Sequence, residues 1–340
     1  MIRRLAAGAA VSALLLTPVL LAPAARAAGA PAPSVAAIAP EDATVAVDSG
    51  NEDQAFLYGS YLRPLNKNNY PAVLILPEAG ADRNGNAIDQ EVKPDTYREL
   101  AEALADKGIA SVRIDKRGVG QSAKAISREE DLRFETYVDD AVTWIKFLQA
   151  QPHVGCVAVY GHSESALVAA LAAKKVKVCA IIEAAGASRP FAAVLAAQLK
   201  TAFQANRFTK EDYDEAVRIL DQLTAGKPVA APPKKLDPLF RPSVQPYLMS
   251  WLNLNPVEAL KTNTPVLILQ GSGDFELTAD DPRRLSASPK NVRVVMVPGA
   301  DHDLKIRVAT TGKATADQAR LLAPQVAASI QTFLDSLRWP

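Results

Sequence analysis

The chain has 340 residues and is close to neutral, with 38 basic against 37 acidic residues and a formal charge of +1. A balance this even gives no reason to expect nucleic acid or a charged membrane surface as partner. Only three histidines and two cysteines occur, without the Cys/His spacing of a metal site, so a zinc site is not expected.

Residues 1–27 read as a secretory signal: Arg3 and Arg4 open it, an apolar run reaches Leu21, and Ala25-Arg26-Ala27 offers a small-x-small cleavage site. Pro18 and Pro23 interrupt the run, which is short for a span of about 20 residues. Export, periplasmic or secreted, without a stable membrane anchor is therefore the expectation. Residues 28–40 are rich in Ala and Pro, bury little, and are expected as a flexible leader.

The rest suits one large α/β domain carrying an insertion. Residues 44–47 and 55–62 have strand character and are expected as an antiparallel edge. Strand-like and helical stretches then alternate: strand 72–76 and helix 94–107, strand 110–114 and helix 133–149, strand 157–160 and helix 165–174, then strand 178–182. The alternation returns with strands 266–269 and 292–297 and ends in a helix over about 314–337. This pattern predicts an α/β fold with a mainly parallel sheet and helices on both faces. Between 186 and 264 it breaks, with helices at 192–204 and 210–223 and a Pro-rich stretch at 226–242. Cys156 and Cys179 begin two apolar runs read as neighbouring strands. An oxidising compartment allows them to pair, but adjacent parallel strands hold side chains poorly for a bridge; buried thiols are favoured, with pairing left open.

The chemistry concentrates at three strand ends. Tyr160-Gly161-His162-Ser163-Glu164-Ser165 follows an apolar run and precedes a small-residue helical stretch, as a nucleophile elbow does. The last glycine of G-x-S-x-G is here Ser165, the smallest polar alternative. A simpler role for Ser163 is to cap the helix that follows. Further on, the strand at 266–269 leads into Gly271-Ser272-Gly273-Asp274, and the strand at 292–297 into Gly299-Ala300-Asp301-His302. A serine hydroxyl is a poor nucleophile until an imidazole takes its proton, and a carboxylate holds that imidazole in the right tautomer. Of the histidines, His153 precedes the elbow strand and His162 is adjacent to the serine, so His302 is the natural base. Asp274 is the acid, with Glu183 as fallback; Asp301, next to the base in sequence, is a poor orienter, and Glu276 reads as a solvated loop residue.

These motifs, with Asp82-Arg83-Asn84-Gly85-Asn86 and Asp115-Lys116-Arg117-Gly118-Val119-Gly120-Gln121-Ser122, span roughly residues 70–305 in the order nucleophile, acid, histidine. The chain so resembles the α/β-hydrolase superfamily, near its bacterial exported esterases and serine-peptidase-like hydrolases. The resemblance implies a core of residues 41–186 and 261–340 and a helical cap of residues 187–260, with Phe191, Phe203, Tyr247, Leu248 and Trp251 as candidate pocket walls, although packing of the cap to the core is the favoured role for any one of them. By the same analogy the backbone amides of Ala79 and Glu164 form the oxyanion hole, with Glu78 in place of Ala79 if the loop is shifted by one residue. Asp115 and Arg117, in a loop beside the expected site, are expected to shape that loop, with substrate binding as the alternative.

The activity implied is hydrolysis of a small-molecule carboxylic ester through an acyl-enzyme, with no metal or organic cofactor. The same triad serves peptides and thioesters, and a binding protein that uses the fold without the reaction is the reading of another class.

Overall fold

The computed structural model describes residues 40–48, 54–64, 68–87, 93–287, 291–307 and 320–338. The expected signal, and all of the expected leader except Pro40, lie outside the described residues. Among the described residues no helix is long and apolar enough to cross a membrane.

Strands β1 (Glu41–Asp48), β2 (Gln54–Leu62), β3 (Tyr70–Leu76), β4 (Ala110–Ile114), β5 (Val154–His162), β6 (Ala180–Ala184), β7 (Val266–Gly271) and β8 (Val292–Val297) form one sheet in the order β1-β2-β4-β3-β5-β6-β7-β8. β1 and β2 are the expected antiparallel edge, and β4, β3, β5, β6, β7 and β8 pair in parallel. Because successive side chains of a strand face opposite ways, the central strands divide their apolar residues between two cores. Leu74, Val159, Ile181 and Ile268 face one, where α2 (Phe134–Gln149) and α3 (Glu164–Lys175) pack. Ile75, Tyr160, Ile182 and Leu269 face the other, beneath α1 (Thr96–Ala105) and α10 (Pro324–Asp335). Helix α2 shows how directly the pattern is read: Phe134, Tyr137, Val138, Ala141, Trp144, Ile145 and Leu148, spaced three and four apart, are all buried.

Between β6 and β7 the chain forms α4 (Phe191–Gln204), α5 (Lys210–Thr224), α6 (Asp237–Phe240), α7 (Gln245–Trp251) and α8 (Pro256–Ala259), with the two long helices where the sequence predicts them. These helices pack against the α2/α3 side and extend that core rather than forming a separate one. A short α9 (Asp280–Leu285) follows β7.

Two expectations change. The C-terminal helix begins only at Pro324, a residue suited to a first helical turn; Arg320–Leu322 ahead of it is β10, paired antiparallel with β9 (Lys305–Arg307). Arg320 is drawn into that hairpin by Asp301 and Asp303, whose carboxylates it bonds. The favoured free thiols also give way: Cys156 and Cys179 form a disulfide, with Cα atoms 5.8 Å apart. Cys179 stands one residue before β6 with its N–H donating to Val157 O, so it falls opposite Val157 and is offset from Cys156, and the unfavourable geometry of two directly paired residues does not apply.

Candidate active site

Ser163 sits between β5 and α3 with φ 53° and ψ −117°, a left-handed backbone that a non-glycine residue rarely adopts. The bend is held by the Ser163 N–H, which donates to Ala184 O on the neighbouring strand at 2.9 Å. Its hydroxyl makes no cap hydrogen bond, so helix capping is not what a serine does at this position. Gly161 has to be bare, since a Cβ there would lie 2.1 Å from the carbonyl oxygen of Ser165. Ser165 itself is fully buried and donates its hydroxyl to Pro77 O at 2.5 Å. The departure from glycine thus adds a tie between the elbow and the loop after β3.

The acid and base loops lie against each other backbone to backbone. A Cβ on Gly271 would stand 2.3 Å from Ala300 O, and the Gly273 N–H donates to that same oxygen at 2.8 Å. This close approach brings Asp274 Oδ2 to 2.9 Å from His302 Nδ1. Asp274 also accepts from Gln270 Nε2 at 2.7 Å and from the N–H groups of Glu276 and Leu277. Burial raises its pKa, but the His302 bond and these amides outweigh it and hold the carboxyl below its usual range. Glu183, the fallback acid, is not the group that His302 bonds.

His302 Nε2 is buried without a hydrogen-bond partner among the described residues. Ser163 and His302 line one cavity of about 850 Å³, its open mouth included. The structure therefore closes the acid–base bond and leaves the bond from Ser163 to His302 open, as free enzymes often do. Burial lowers the pKa of His302, yet the bond to Asp274 and the charges of Glu276, Asp274 and Glu78 more than offset it and hold it above the ordinary imidazole value.

In the loop after β3 the two candidate amides differ. The Glu78 N–H donates to Tyr97 Oη at 2.8 Å, whereas the Ala79 N–H has no acceptor among the described residues and Ala79 lines the cavity. Glu164 stands in the first turn of α3, where a backbone N–H lacks an intrahelical acceptor. Its carboxylate is engaged by Lys116 Nζ at 2.9 Å.

Four of the five candidate wall residues, Phe191, Tyr247, Leu248 and Trp251, line the cavity. Phe203 does not; it stacks on Tyr213 with ring centroids 4.8 Å apart. Asp115 binds Arg83 and the Gln121 N–H, and Arg117 forms a buried two-point pair with Asp140, so both shape loops as expected. Asp301 pairs with Arg320, away from His302 Nδ1.

The sequence reading missed the acidic corner. Glu276, read as a solvated loop residue, lines the cavity with a carboxylate oxygen 4.0 Å from His302 Nε2. Burial first, then the charges of Asp274 and Asp303, raises its pKa. Burial and the charge of Asp303 likewise raise Glu78. Glu78, His162 and His302 place possible ligand atoms within 4.8 Å of one another. Both ring nitrogens of His162 are already bonded, to Tyr97 Oη and to His302 O, so the trio lacks the three free donors a metal needs.

A family model described as Hydrolase_4, serine aminopeptidase, S33, matches residues 94–241. Among solved structures the chain is similar to Est1E from Butyrivibrio proteoclasticus, at 15% identity and TM-score 0.51, covering 86% of this chain and 97% of that one. Est1E with ferulic acid bound aligns at 16% identity and TM-score 0.53, covering 86% and 98%. An esterase from Pyrococcus furiosus aligns at 14% identity and TM-score 0.53, covering 88% and 92%. No curated protein matches the sequence. With its sheet order and strand-end loops, the chain has the α/β-hydrolase fold that these structures share.

Proposed function

We propose that the protein is an exported serine hydrolase that cleaves carboxylic esters through an acyl-enzyme. The observation that carries this reading is Ser163 on its left-handed elbow, opening into a cavity where His302 presents a free Nε2 while Nδ1 is bonded to Asp274. In the first half-reaction His302 Nε2 takes the hydroxyl proton as Ser163 Oγ attacks the ester carbonyl, and Asp274 stabilises the imidazolium. The charge that develops on the carbonyl oxygen is met by the Ala79 and Glu164 amides, which as fixed dipoles need no reorganisation. His302 then hands its proton to the leaving alcohol. In the second half a water attacks the acyl-enzyme with His302 again as base, releasing the acid and restoring Ser163.

The wall of Phe191, Tyr247, Leu248 and Trp251 suits an apolar or aromatic acyl group, a class that includes the ferulic acid bound to Est1E. A peptidase reading draws on the serine aminopeptidase description of the matched family model; turnover of an aminoacyl amide but not of a short acyl ester would favour it. Export is supported by the Cys156–Cys179 disulfide, since such bonds persist in oxidising compartments.

A fluorophosphonate tests the reaction directly. The folded wild type is expected to take one phosphonyl group and the Ser163→Ala variant none. A wild type that takes no label would move the binding-protein reading ahead.

A further inference from the structure

His162 is fully buried, and its two ring nitrogens join segments far apart in the chain. Nε2 lies 2.9 Å from the carbonyl oxygen of His302, and Nδ1 lies 2.8 Å from Tyr97 Oη. Tyr97 Oη in turn receives the Glu78 N–H at 2.8 Å. One assignment of protons satisfies every member. A carbonyl oxygen only accepts, so Nε2 carries the ring proton. The lone pair on Nδ1 then accepts the Tyr97 O–H, which leaves the tyrosine oxygen free to accept from Glu78. Adding a second proton to the ring would turn Nδ1 into a donor and leave the Tyr97 hydroxyl hydrogen without an acceptor in a buried site. Burial lowers the His162 pKa in the same direction, and the nearby His302 charge adds to it. The ionisable groups facing the ring are Tyr97 from α1, Glu78 from the loop after β3, and Asp274, His302 and Asp303 from the two strand-end loops.

The two ends of this chain of bonds are functional positions under the serine-hydrolase reading, on which the inference rests. At one end stands Glu78, whose successor Ala79 supplies an oxyanion amide; at the other stands the backbone of the base, His302. Seated between them is the residue directly before the nucleophile. We propose that Tyr97 and His162 are positioning residues: a hydrogen-bond relay through a neutral, single-tautomer His162 sets the oxyanion loop, the elbow and the His302 loop at one fixed separation. Neither side chain touches the substrate, and Nε2 of His302 remains free for the reaction. The relay explains why a histidine in the x position of the elbow is buried against the sheet rather than turned to the cavity. A misplacement of either loop falls on the transition state, where the oxyanion and the imidazolium must both be met, more than on substrate binding.

The test combines kinetics with histidine nitrogen NMR of the purified protein. With p-nitrophenyl acetate, Tyr97→Phe is expected to lower kcat on the order of 10- to 100-fold with KM held within about twofold. His162→Gln, which keeps an N–H donor, is expected to retain more kcat than His162→Leu, which keeps only bulk. In wild type labelled with 15N-histidine, the His162 signal should report a proton on Nε2 and no titration between about pH 5 and 9, the range in which an ordinary imidazole changes charge. A folded Tyr97→Phe variant with unchanged kcat, or with a change confined to KM, overturns the relay. So does a His162 that carries its proton on Nδ1 or titrates in that range, a result that needs no variant to fold. Failure of wild-type Ser163 to take a fluorophosphonate would be a different failure, that of the serine-hydrolase reading itself.

Discussion

At the strand-end wall of the cavity, the reactive groups sit on loops whose backbones lock into one another: Gly271 and Gly273 against Ala300, Ser163 against Ala184, Ser165 against Pro77. The apolar wall is formed by Phe191, Tyr247, Leu248 and Trp251, with Trp251 stacked on Phe191 at 3.8 Å and backed by the buried Phe134 at 5.0 Å. The first wall spends glycines and buried polar bonds to hold atoms at hydrogen-bond distance. The second is shaped by volume, and its apolar contacts tolerate exchange of one ring or chain for another. The two walls thus differ in their tolerance for change.

Asp274→Asn should strike the first wall hardest. The isostere keeps the shape but not the charge that orients His302 and stabilises its imidazolium, so kcat for a short ester is expected to fall roughly 10³- to 10⁴-fold, with KM little altered. Steady-state kinetics check both parameters. A loss of less than tenfold would hand the acid role to another carboxylate, with Glu276 the nearest to Nε2.

Phe191→Ala should act on the second wall alone. Removing the ring that faces Trp251 is expected to reduce kcat/KM roughly 10-fold for an aromatic or long acyl ester and to leave an acetyl ester nearly unchanged. Equal losses on both esters would show that the ring positions the triad instead of selecting the acyl group, and the contrast between the walls would fail.

The smallest expected effect is the most specific to the acidic corner. His302 works as a base only when neutral, and its pKa stands above the ordinary imidazole value, so kcat/KM should still be rising with pH where an unperturbed histidine would have levelled off. Glu276→Gln removes one carboxylate 4.0 Å from Nε2, which destabilises the imidazolium and should move that rise to lower pH. A pH profile of kcat/KM in the two proteins decides it; coincident profiles would mean that Glu276 does not act on His302.

Much of this was legible in the chain because local pattern and local structure coincide. The seven buried apolar residues of α2 recur every three or four positions, and β3 is an unbroken apolar run, so helix and strand follow from spacing. Asp274 and His302 stood out as candidates because each lies in a loop just past an apolar strand, where open α/β sheets carry their functional side chains. Glu78, Glu276 and Tyr97 gave no comparable signal. A glutamate in a polar loop looks alike whether it faces water or a cavity, and a tyrosine on an amphipathic helix looks like core. The β9–β10 hairpin escaped for a similar reason, since Arg320–Leu322 is held by ion pairs and ladder bonds to residues 13 or more positions earlier.

By itself the sequence indicated the alternation of strands and helices from β3 to β8, a sharp turn at Ser163 between Gly161 and the α3 stretch, and Asp274 and His302 as candidates just past strand ends, because each depends on hydrophobic period, turn chemistry or chain order within a few residues. Only the tertiary structure decided that Ala79 rather than Glu78 presents a free amide, that Cys156 reaches Cys179, and that His162 is tied at both ring nitrogens. Each of those depends on distance and direction between segments 19 to 140 residues apart. Hydrogen bonds and disulfides are set to within tenths of an ångström by how whole layers pack, and a linear pattern carries no such measure.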